Sequence, residues 1–385
     1  MSLEPAPPST PESASLRLGM VAGETSGDLL AGLLLQGLKQ RWPALSASGI
    51  GGPRMIALGF DAWWPAEKLS LFGYVDVLLN YRELVGIRNA LGDRLIAQRP
   101  DVFVGVDAPD FNFGLEKRLR EAGIKAVHFV CPSIWAWRPE RVEKIRCSAD
   151  HVLCLFPFEP EILHKAGVGA TYVGHPLADA IPLEPPRTAA REALGLPEND
   201  TVIALLPGSR KSEINYIAPA LIGAARLMQR PGRRFVMPVV PGLRALVEPM
   251  LGGADIQLID GQSHAALAAC DLTLLASGTA SLEAALFKRP MVIAYRMNAL
   301  NWWRMKGRGL QPWVGLPNIL AREFLVPELI QHDCTPENLA REGEALLADA
   351  PRRAALHARF VQLHELLRQD TARRASDAIA SLLGA

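Results

Sequence analysis

The chain has 385 residues, 49% of them hydrophobic and 21% charged, with a formal net charge of +1. That balance describes a folded protein long enough for about two cores, and near-neutrality argues against a dedicated nucleic-acid binder, whose footprint is basic. Five cysteines without a Cys-x-x-Cys pair and eight histidines without ligand spacing argue against a disulfide framework and a zinc site, and for a reducing compartment.

The first fifteen residues are rich in Pro, Ser and Glu and read as a disordered tail rather than a signal peptide. Leu16–Ala22 then predicts a buried strand and Leu29–Arg41 a helix. The alternation continues through the helical patterns Leu84–Gln98, Phe113–Ala122 and Arg141–Cys147 and the apolar runs Val102–Val106, Ala126–Val130 and His151–Leu155. Ala180-Ile-Pro-Leu-Glu-Pro-Pro-Arg187 interrupts both patterns and reads as a linker. Strand runs resume at Thr201–Leu206, Arg234–Val239, Ile256–Ile259, Leu272–Ala276 and Met291–Ala294, and from Pro336 on the pattern is helical. Such alternation predicts an α/β protein of two Rossmann-like halves, residues 16–180 and 187–355. Their parallel sheets would face a central cleft, with C-terminal helices over 356–385 free to pack back on the first half. No apolar run reaches the roughly eighteen residues of a membrane span.

Four strand ends present polar loops, where an α/β protein places its ligand. Ala22-Gly-Glu-Thr-Ser-Gly-Asp28 lacks Gly-x-Gly-x-x-Gly, and Glu24 and Asp28 would repel a pyrophosphate. It reads either as an acceptor-binding loop with Glu24, Ser26 and Asp28, or as a helix start capped by Ser26 and Gly27. Gly105-Val-Asp-Ala-Pro-Asp-Phe-Asn112 sets two carboxylates and an amide at a strand end. Asp107 and Asp110 could hold a metal, but such a site wants further oxygen ligands. A single carboxylate in a partly dry cleft suits a general base for a hydroxyl. Asp110 is equally readable as a helix cap.

The third loop, Leu205-Leu-Pro-Gly-Ser-Arg-Lys-Ser-Glu213, lacks the Gly-Lys-Ser/Thr of a P-loop. Its Arg210 can pair with a diphosphate and neutralise a leaving group, while Lys211 faces solvent. In the fourth, Leu274-Leu-Ala-Ser-Gly-Thr-Ala-Ser-Leu-Glu-Ala-Ala-Leu286, an apolar run breaks at Ser277-Gly278-Thr279 and a helix begins at once. Free N–H groups and the positive end of a helix dipole there make either a phosphate site, with Glu283 placed for ribose hydroxyls, or a plain tight turn.

Together with Pro132-Ser-Ile-Trp-Ala-Trp-Arg138, Val173-Gly-His-Pro176, Tyr295-Arg-Met297 and Leu316-Pro-Asn318, these loops fall in order across nearly the whole chain beyond the tail. The set resembles the lipid-A-disaccharide synthases, glycosyltransferases of the GT-B fold. The resemblance implies transfer from UDP-2,3-diacylglucosamine to 2,3-diacylglucosamine 1-phosphate, giving a β-1,6-linked disaccharide and UDP. It implies Asp107 as general base, Ser209, Arg210, Ser277, Gly278, Thr279 and Glu283 around the UDP, and Arg296 and Asn318 as further polar positions there. Glu24, Ser26, Asp28, Asp110 and Asn112 are the expected acceptor side. An inverting transfer whose leaving charge is held by a guanidinium and a helix dipole needs no metal and no cofactor. The rival readings are another UDP-sugar enzyme of this fold, either a transferase to a polyprenyl-linked acceptor or a UDP-N-acetylglucosamine epimerase, and a non-catalytic nucleotide-sugar binder.

Acylated substrates imply a cytoplasmic enzyme lying peripherally on the inner membrane, with room for a homodimer. Two segments have the composition for that contact: 69–81 preceded by Trp63-Trp64, and 301–313, where Trp302 and Trp303 neighbour Arg304, Lys306 and Arg308. Ordinary core packing is the alternative for both.

Overall fold

Five consecutive apolar or small residues in Val102–Val106 and six in Thr201–Leu206 give strands covered on both faces, which is what a parallel sheet with helices on either side requires. The computed structural model describes residues 15–23, 25–69, 74–136, 138–299, 302, 303, 307 and 309–384. It divides into two units, one of residues up to Pro176 with Asp370 onward, the other Leu177–Gln369.

In the first unit the strands are β1 (Arg17–Ala22), β2 (Ser46–Gly51), β3 (Asp61–Pro65), β4 (Val102–Val106), β5 (Lys125–Phe129), β6 (His151–Cys154) and β7 (Gly169–Tyr172). Among the described residues they form one parallel sheet in the order β3-β2-β1-β4-β5-β6-β7. Its helices are α1 (Thr25–Arg41), α2 (Pro53–Ala57), α3 (Tyr74–Gln98), α4 (Pro109–Glu121), α5 (Arg141–Ser148) and α6 (Glu159–Lys165). The period of two along β4 sorts the core. Val102, Val104 and Val106 pack with Leu34, Leu35 and Leu38 of α1 and with Ala375, Ile379 and Ala380, whereas Phe103 packs with Leu91 and Leu95 of α3 and Leu115 and Leu119 of α4. Thus the chain's last helix, Thr371–Leu383, covers the first unit's sheet beside α1.

A short helix, α7 (Pro176–Ala180), starts at the last residue of the first unit and runs into the second, where α8 (Arg187–Leu194) follows. The proline-rich stretch 180–187 therefore lies a few residues inside this unit, where the Pro182 carbonyl accepts from Lys288. Strands β8 (Thr201–Leu206), β9 (Arg233–Val239), β10 (Gln257–Asp260), β11 (Leu272–Ala276), β12 (Met291–Tyr295) and β13 (Glu328–Ile330) pair in parallel in the order β10-β9-β8-β11-β12-β13. The helices are α9 (Lys211–Met228), α10 (Arg244–Leu251), α11 (Ser263–Ala269), α12 (Thr279–Leu286), α13 (Leu316–Ala321), α14 (Pro336–Ala348) and α15 (Ala350–Leu367); the final helix, Thr371–Leu383, is α16.

At the amino end of this sheet the guanidinium of Arg191 is fully buried. It donates to the carbonyls of Ala269, Pro197, Glu198 and Asp200 and to Asp271 Oδ2 at 2.8 Å, and Asp271 in turn accepts from Val202 N. One side chain thereby joins α8, α11, β8 and β11. Breaking a buried hydrogen-bonded pair from one side strips several partners at once, so Arg191→Met is expected to lower the stability of the second unit by about 3–5 kcal/mol. Urea unfolding measures it; a loss under about 1 kcal/mol, the worth of an exposed pair, would contradict this role.

Candidate active site

Both sheets reverse their strand order beside their first strand. β1 has β2 on one side and β4 on the other, and β8 has β9 on one side and β11 on the other. Loops leaving such neighbours turn to opposite faces and open a crevice outside the carboxyl ends of the strands. In the first unit the loops at the reversal follow β1 and β4. In the second they follow β8 and β11. These hold the four motifs singled out in the sequence.

After β4, Asp107 and Ala108 both adopt left-handed backbone, with φ of 50° and 42°. Two adjacent non-glycine residues in that region are strained and persist only when their surroundings fix them. Here Asp107 N donates to Phe129 O on β5 at 2.9 Å, and Asn112 Nδ2 donates to the carbonyls of Asp107 at 2.8 Å and Val106 at 3.4 Å. Asn112 is fully buried, so it braces the loop instead of meeting an acceptor. Asp110 does not cap α4: the cap position is Ala108 and no side chain fills it. The Asp110 carboxylate is exposed and paired with Arg141 Nη2 at 3.2 Å.

The loop after β1 is also turned inward. Asp28 is buried and accepts from the N–H groups of Gly52, Arg54 and Met55 at 3.0–3.2 Å, capping α2 from a distance, so its oxygens are taken by the fold. Ser26 lies exposed within α1 rather than before it, and Glu24 lies outside the described residues.

In the second unit, Gly208 has φ of 109°, and a Cβ there would collide with the Glu213 carboxylate. Glu213 needs that space. Its Oε2 accepts from Ser209 N at 2.9 Å and Arg210 N at 3.3 Å, and its Oε1 accepts from Arg210 Nη1 at 3.0 Å. The exposed guanidinium of Arg210 is thus held at the start of α9 by a residue that sequence reasoning did not assign to the site. The signal was present, since an acidic residue three positions after a helix cap is a capping pattern. Tyr295, at the end of β12, has its hydroxyl pKa raised by burial and then by the charge of Glu213.

After β11, Gly278 is the cap of α12 with no side-chain cap, and Gly278 and Thr279 are exposed. Ser277 Oγ donates to Val314 O at 2.9 Å and Ser281 Oγ to Gly278 O at 2.7 Å. The Ser277 hydroxyl is therefore a brace, and what this turn offers a ligand is the backbone of the helix start. Glu283, one turn in, is largely buried with its Oε2 3.5 Å from His264 Nε2. Arg296 is exposed past β12. Asn318 departs from the expectation. It is fully buried, donates to Val326 O and Glu328 Oε1, and accepts from Leu325 N and Val326 N, so its amide is taken up in anchoring the segment before β13.

A cavity of about 510 Å³ opens elsewhere, at the amino ends of β8 and β9; Arg187, Arg230 and Arg233 there are already paired with Asp271 and Glu344. It is a crevice between ion pairs, away from the strand ends that carry the motifs.

Beyond β5 and β6, Trp135 packs edge-on to Phe156 and Phe158 and donates from Nε1 to Glu159 Oε1 at 3.0 Å; Glu159 Oε2 accepts from Phe156 N. Burial pushes the Glu159 carboxyl from its ordinary 4.5 up to about 8 and the nearby His175 imidazole from 6.5 down to about 4. The folded protein holds the Glu159 proton where the unfolded chain has lost it. That contribution is complete below about pH 4.5 and disappears as pH rises toward 8. His175 acts oppositely, contributing above about pH 6.5 and failing as pH falls toward 4. Glu159→Gln is therefore expected to gain on the wild type between pH 5 and 8 by up to about 1.4 kcal/mol per pH unit. Stability curves that stay parallel across that window would contradict it.

Two parallel-sheet Rossmann-like units, each with its motifs at a strand-order reversal, and a C-terminal helical tail define the GT-B architecture. A solved structure of a UDP-N-acetylglucosamine 2-epimerase from Listeria monocytogenes shares it, with a TM-score of 0.67 at 15% identity over 96% of this chain and 97% of that one. Sequence comparison is more specific. The family model described as lipid-A-disaccharide synthetase matches residues 18–382. Lipid-A-disaccharide synthases of Albidiferax ferrireducens and Verminephrobacter eiseniae are 57% and 55% identical, each over 96% of this chain and 98% of the relative. The chain belongs to the lipid-A-disaccharide synthase family, and is an enzyme of the hexosyltransferase class.

Proposed function

We propose that the enzyme transfers 2,3-diacylglucosamine from its UDP carrier to the 6-hydroxyl of 2,3-diacylglucosamine 1-phosphate, with inversion at the anomeric carbon. Asp107 takes the proton of the attacking hydroxyl. The oxygen bonds to the donor's anomeric carbon, the bond from that carbon to the diphosphate breaks, and UDP departs. The observation that carries this reading is the strained, doubly braced backbone that fixes Asp107 at the end of β4. Strain kept at a strand end supports a functional reading of the residue that carries it.

The leaving diphosphate is met by Arg210, steadied by Glu213, and by the exposed start of α12, with Glu283 accepting from ribose hydroxyls and Ser209 and Arg296 at the margin. A guanidinium and a helix N-terminus supply positive charge where negative charge develops, so no metal is required. Asp110, already paired with Arg141, is a poor partner to Asp107 for a cation.

UDP release from the acylated donor in the presence and absence of acceptor tests this reading. Release is expected only with acceptor, unchanged by EDTA, and lowered about 10²–10⁴-fold in Asp107→Asn. Release without acceptor would favour hydrolysis or epimerisation. Normal turnover in Asp107→Asn would remove it as the base, and magnesium-restorable loss in EDTA would overturn the metal-free mechanism.

We further propose peripheral contact with the cytoplasmic face of the inner membrane, since both substrates are acylated. Among the described residues no helix is long and apolar enough to cross a membrane. Trp303 is 76% exposed and Leu310 is exposed, within the aromatic and basic segment 301–313; its Asn301, Arg304, Met305, Lys306 and Arg308 lie outside the described residues. Of the other segment, 70–73 lie outside them too, while Trp63 packs under Arg94 with its ring centroid 3.8 Å from the guanidinium carbon. Replacing Trp302, Trp303 and the three basic residues is expected to lower sedimentation with anionic vesicles; unchanged sedimentation would exclude the segment as the anchor.

A further inference from the structure

Beneath the Asp107 loop lies a buried pair that the proposed mechanism leaves unused. Glu116 on α4 and His128 on β5 are both fully buried, with Glu116 Oε1 2.6 Å from His128 Nδ1. They meet over Gly105. β4 and β5 pair Gly105 with His128 in register, and a Cβ on residue 105 would collide with Glu116 Oε1 and stand 3.0 Å from the Cβ and Cγ of Asn112. Asn112 is one turn before Glu116 on the same helix face, and its amide holds the carbonyls of Val106 and Asp107. Three buried polar atoms of this group lack a hydrogen-bond partner among the described residues: Asn112 Oδ1, Glu116 Oε2 and His128 Nε2.

The three atoms constrain where the protons are. A carboxylate beside an imidazolium would bury two charges and leave two acceptors and one N–H donor unmet, and a carboxylate beside a neutral His128 protonated at Nδ1 would bury one charge and leave three acceptors unmet. One proton on Glu116 Oε2, with a neutral His128 protonated at Nδ1, changes that inventory. Oε1 accepts from Nδ1, the carboxyl O–H is free to donate to Asn112 Oδ1, and only a ring-nitrogen lone pair stays unmet. We propose that Glu116 is a carboxylic acid donating to Asn112, and that with His128 it is a positioning residue of the catalytic loop. It sets which way the Asn112 amide faces and, through that amide, the left-handed turn at Asp107 and Ala108. The positioning role rests on Asp107 being the base; the location of the proton does not.

The test uses the full chain as wild type, Glu116→Gln and Glu116→Ala. Infrared difference spectra of the protein labelled with ¹³C-glutamate, wild type minus Glu116→Gln, are expected to show one protonated carboxyl band; Glu159 cancels because both proteins contain it. A carboxylate band in its place would overturn the proposal. In turnover, Gln can donate to Asn112 and accept from His128, so Glu116→Gln is expected within about threefold of wild type. Glu116→Ala is expected to lose kcat by ~10-fold or more with little change in KM for the UDP-sugar, as misplacing a reacting group does. Equal losses in both variants, or a loss confined to KM, would overturn the positioning role. If Glu116→Ala does not fold, the infrared band and the Gln variant still decide. An active Asp107→Asn enzyme with the band intact would overturn the base assignment and leave the Glu116 proton standing.

Discussion

The reversal of strand order beside β1 and β8 is the constraint on which the other features depend. Parallel strands joined by right-handed crossovers can be laid down in either direction from a first strand, and where the direction changes no helix covers the carboxyl ends. In the first unit that gap lies between the loops after β1 and β4, and in the second between those after β8 and β11. The sequence motifs are found there because a polar loop elsewhere on such a sheet would be covered by a crossover. A fold shared at 15% sequence identity can keep this arrangement because it depends on connection order rather than on particular side chains.

Much of the polar chemistry in these loops serves the loops themselves. Asp28 caps α2, Asn112 ties the Asp107 backbone, Glu213 collects two N–H groups and a guanidinium, and Asn318 with Glu328 fixes the segment before β13. Each bond satisfies a backbone group that would otherwise be bare near a crevice. The groups proposed to meet a ligand are few: a half-buried carboxylate at residue 107, the Arg210 guanidinium and the uncapped start of α12, with Glu283, Ser209 and Arg296 beside them. Rigid loops that present few free groups suit a transfer in which geometry, more than the number of contacts, decides the rate.

The fold was largely legible in the sequence because strands buried on both faces must be continuous apolar runs, and Val102–Val106, Thr201–Leu206 and Leu272–Ala276 were read to the residue. β2 escaped because, apart from Ile50, Ser46-Ala-Ser-Gly-Ile-Gly51 is made of small residues that leave no apolar signature. β3, β7 and β13 escaped because they are edge strands, needing apolar cover on less of their surface. In the candidate site, residue type alone leads to the chemistry proposed for Asp107 and Arg210. The direction of each side chain was not legible. Asp28, Asn112 and Asn318 look the same in a motif whether they point at a ligand or into the fold, and only the N–H and carbonyl groups around them separate the two. Glu213 was the reverse case, since its hold on Arg210 is visible in spacing alone.

The central claim is that the second unit receives a nucleotide diphosphate at the carboxyl ends of β8 and β11. Amide hydrogen exchange of the full chain with and without UDP tests it most directly, because the proposed contacts are largely backbone. Protection on adding UDP is expected at Ser209–Arg210 and at Gly278–Ala280, the loop and helix start that flank the strand-order reversal. Protection confined to the arginine-lined crevice at the amino ends of β8 and β9, with those loops unchanged, would contradict the account.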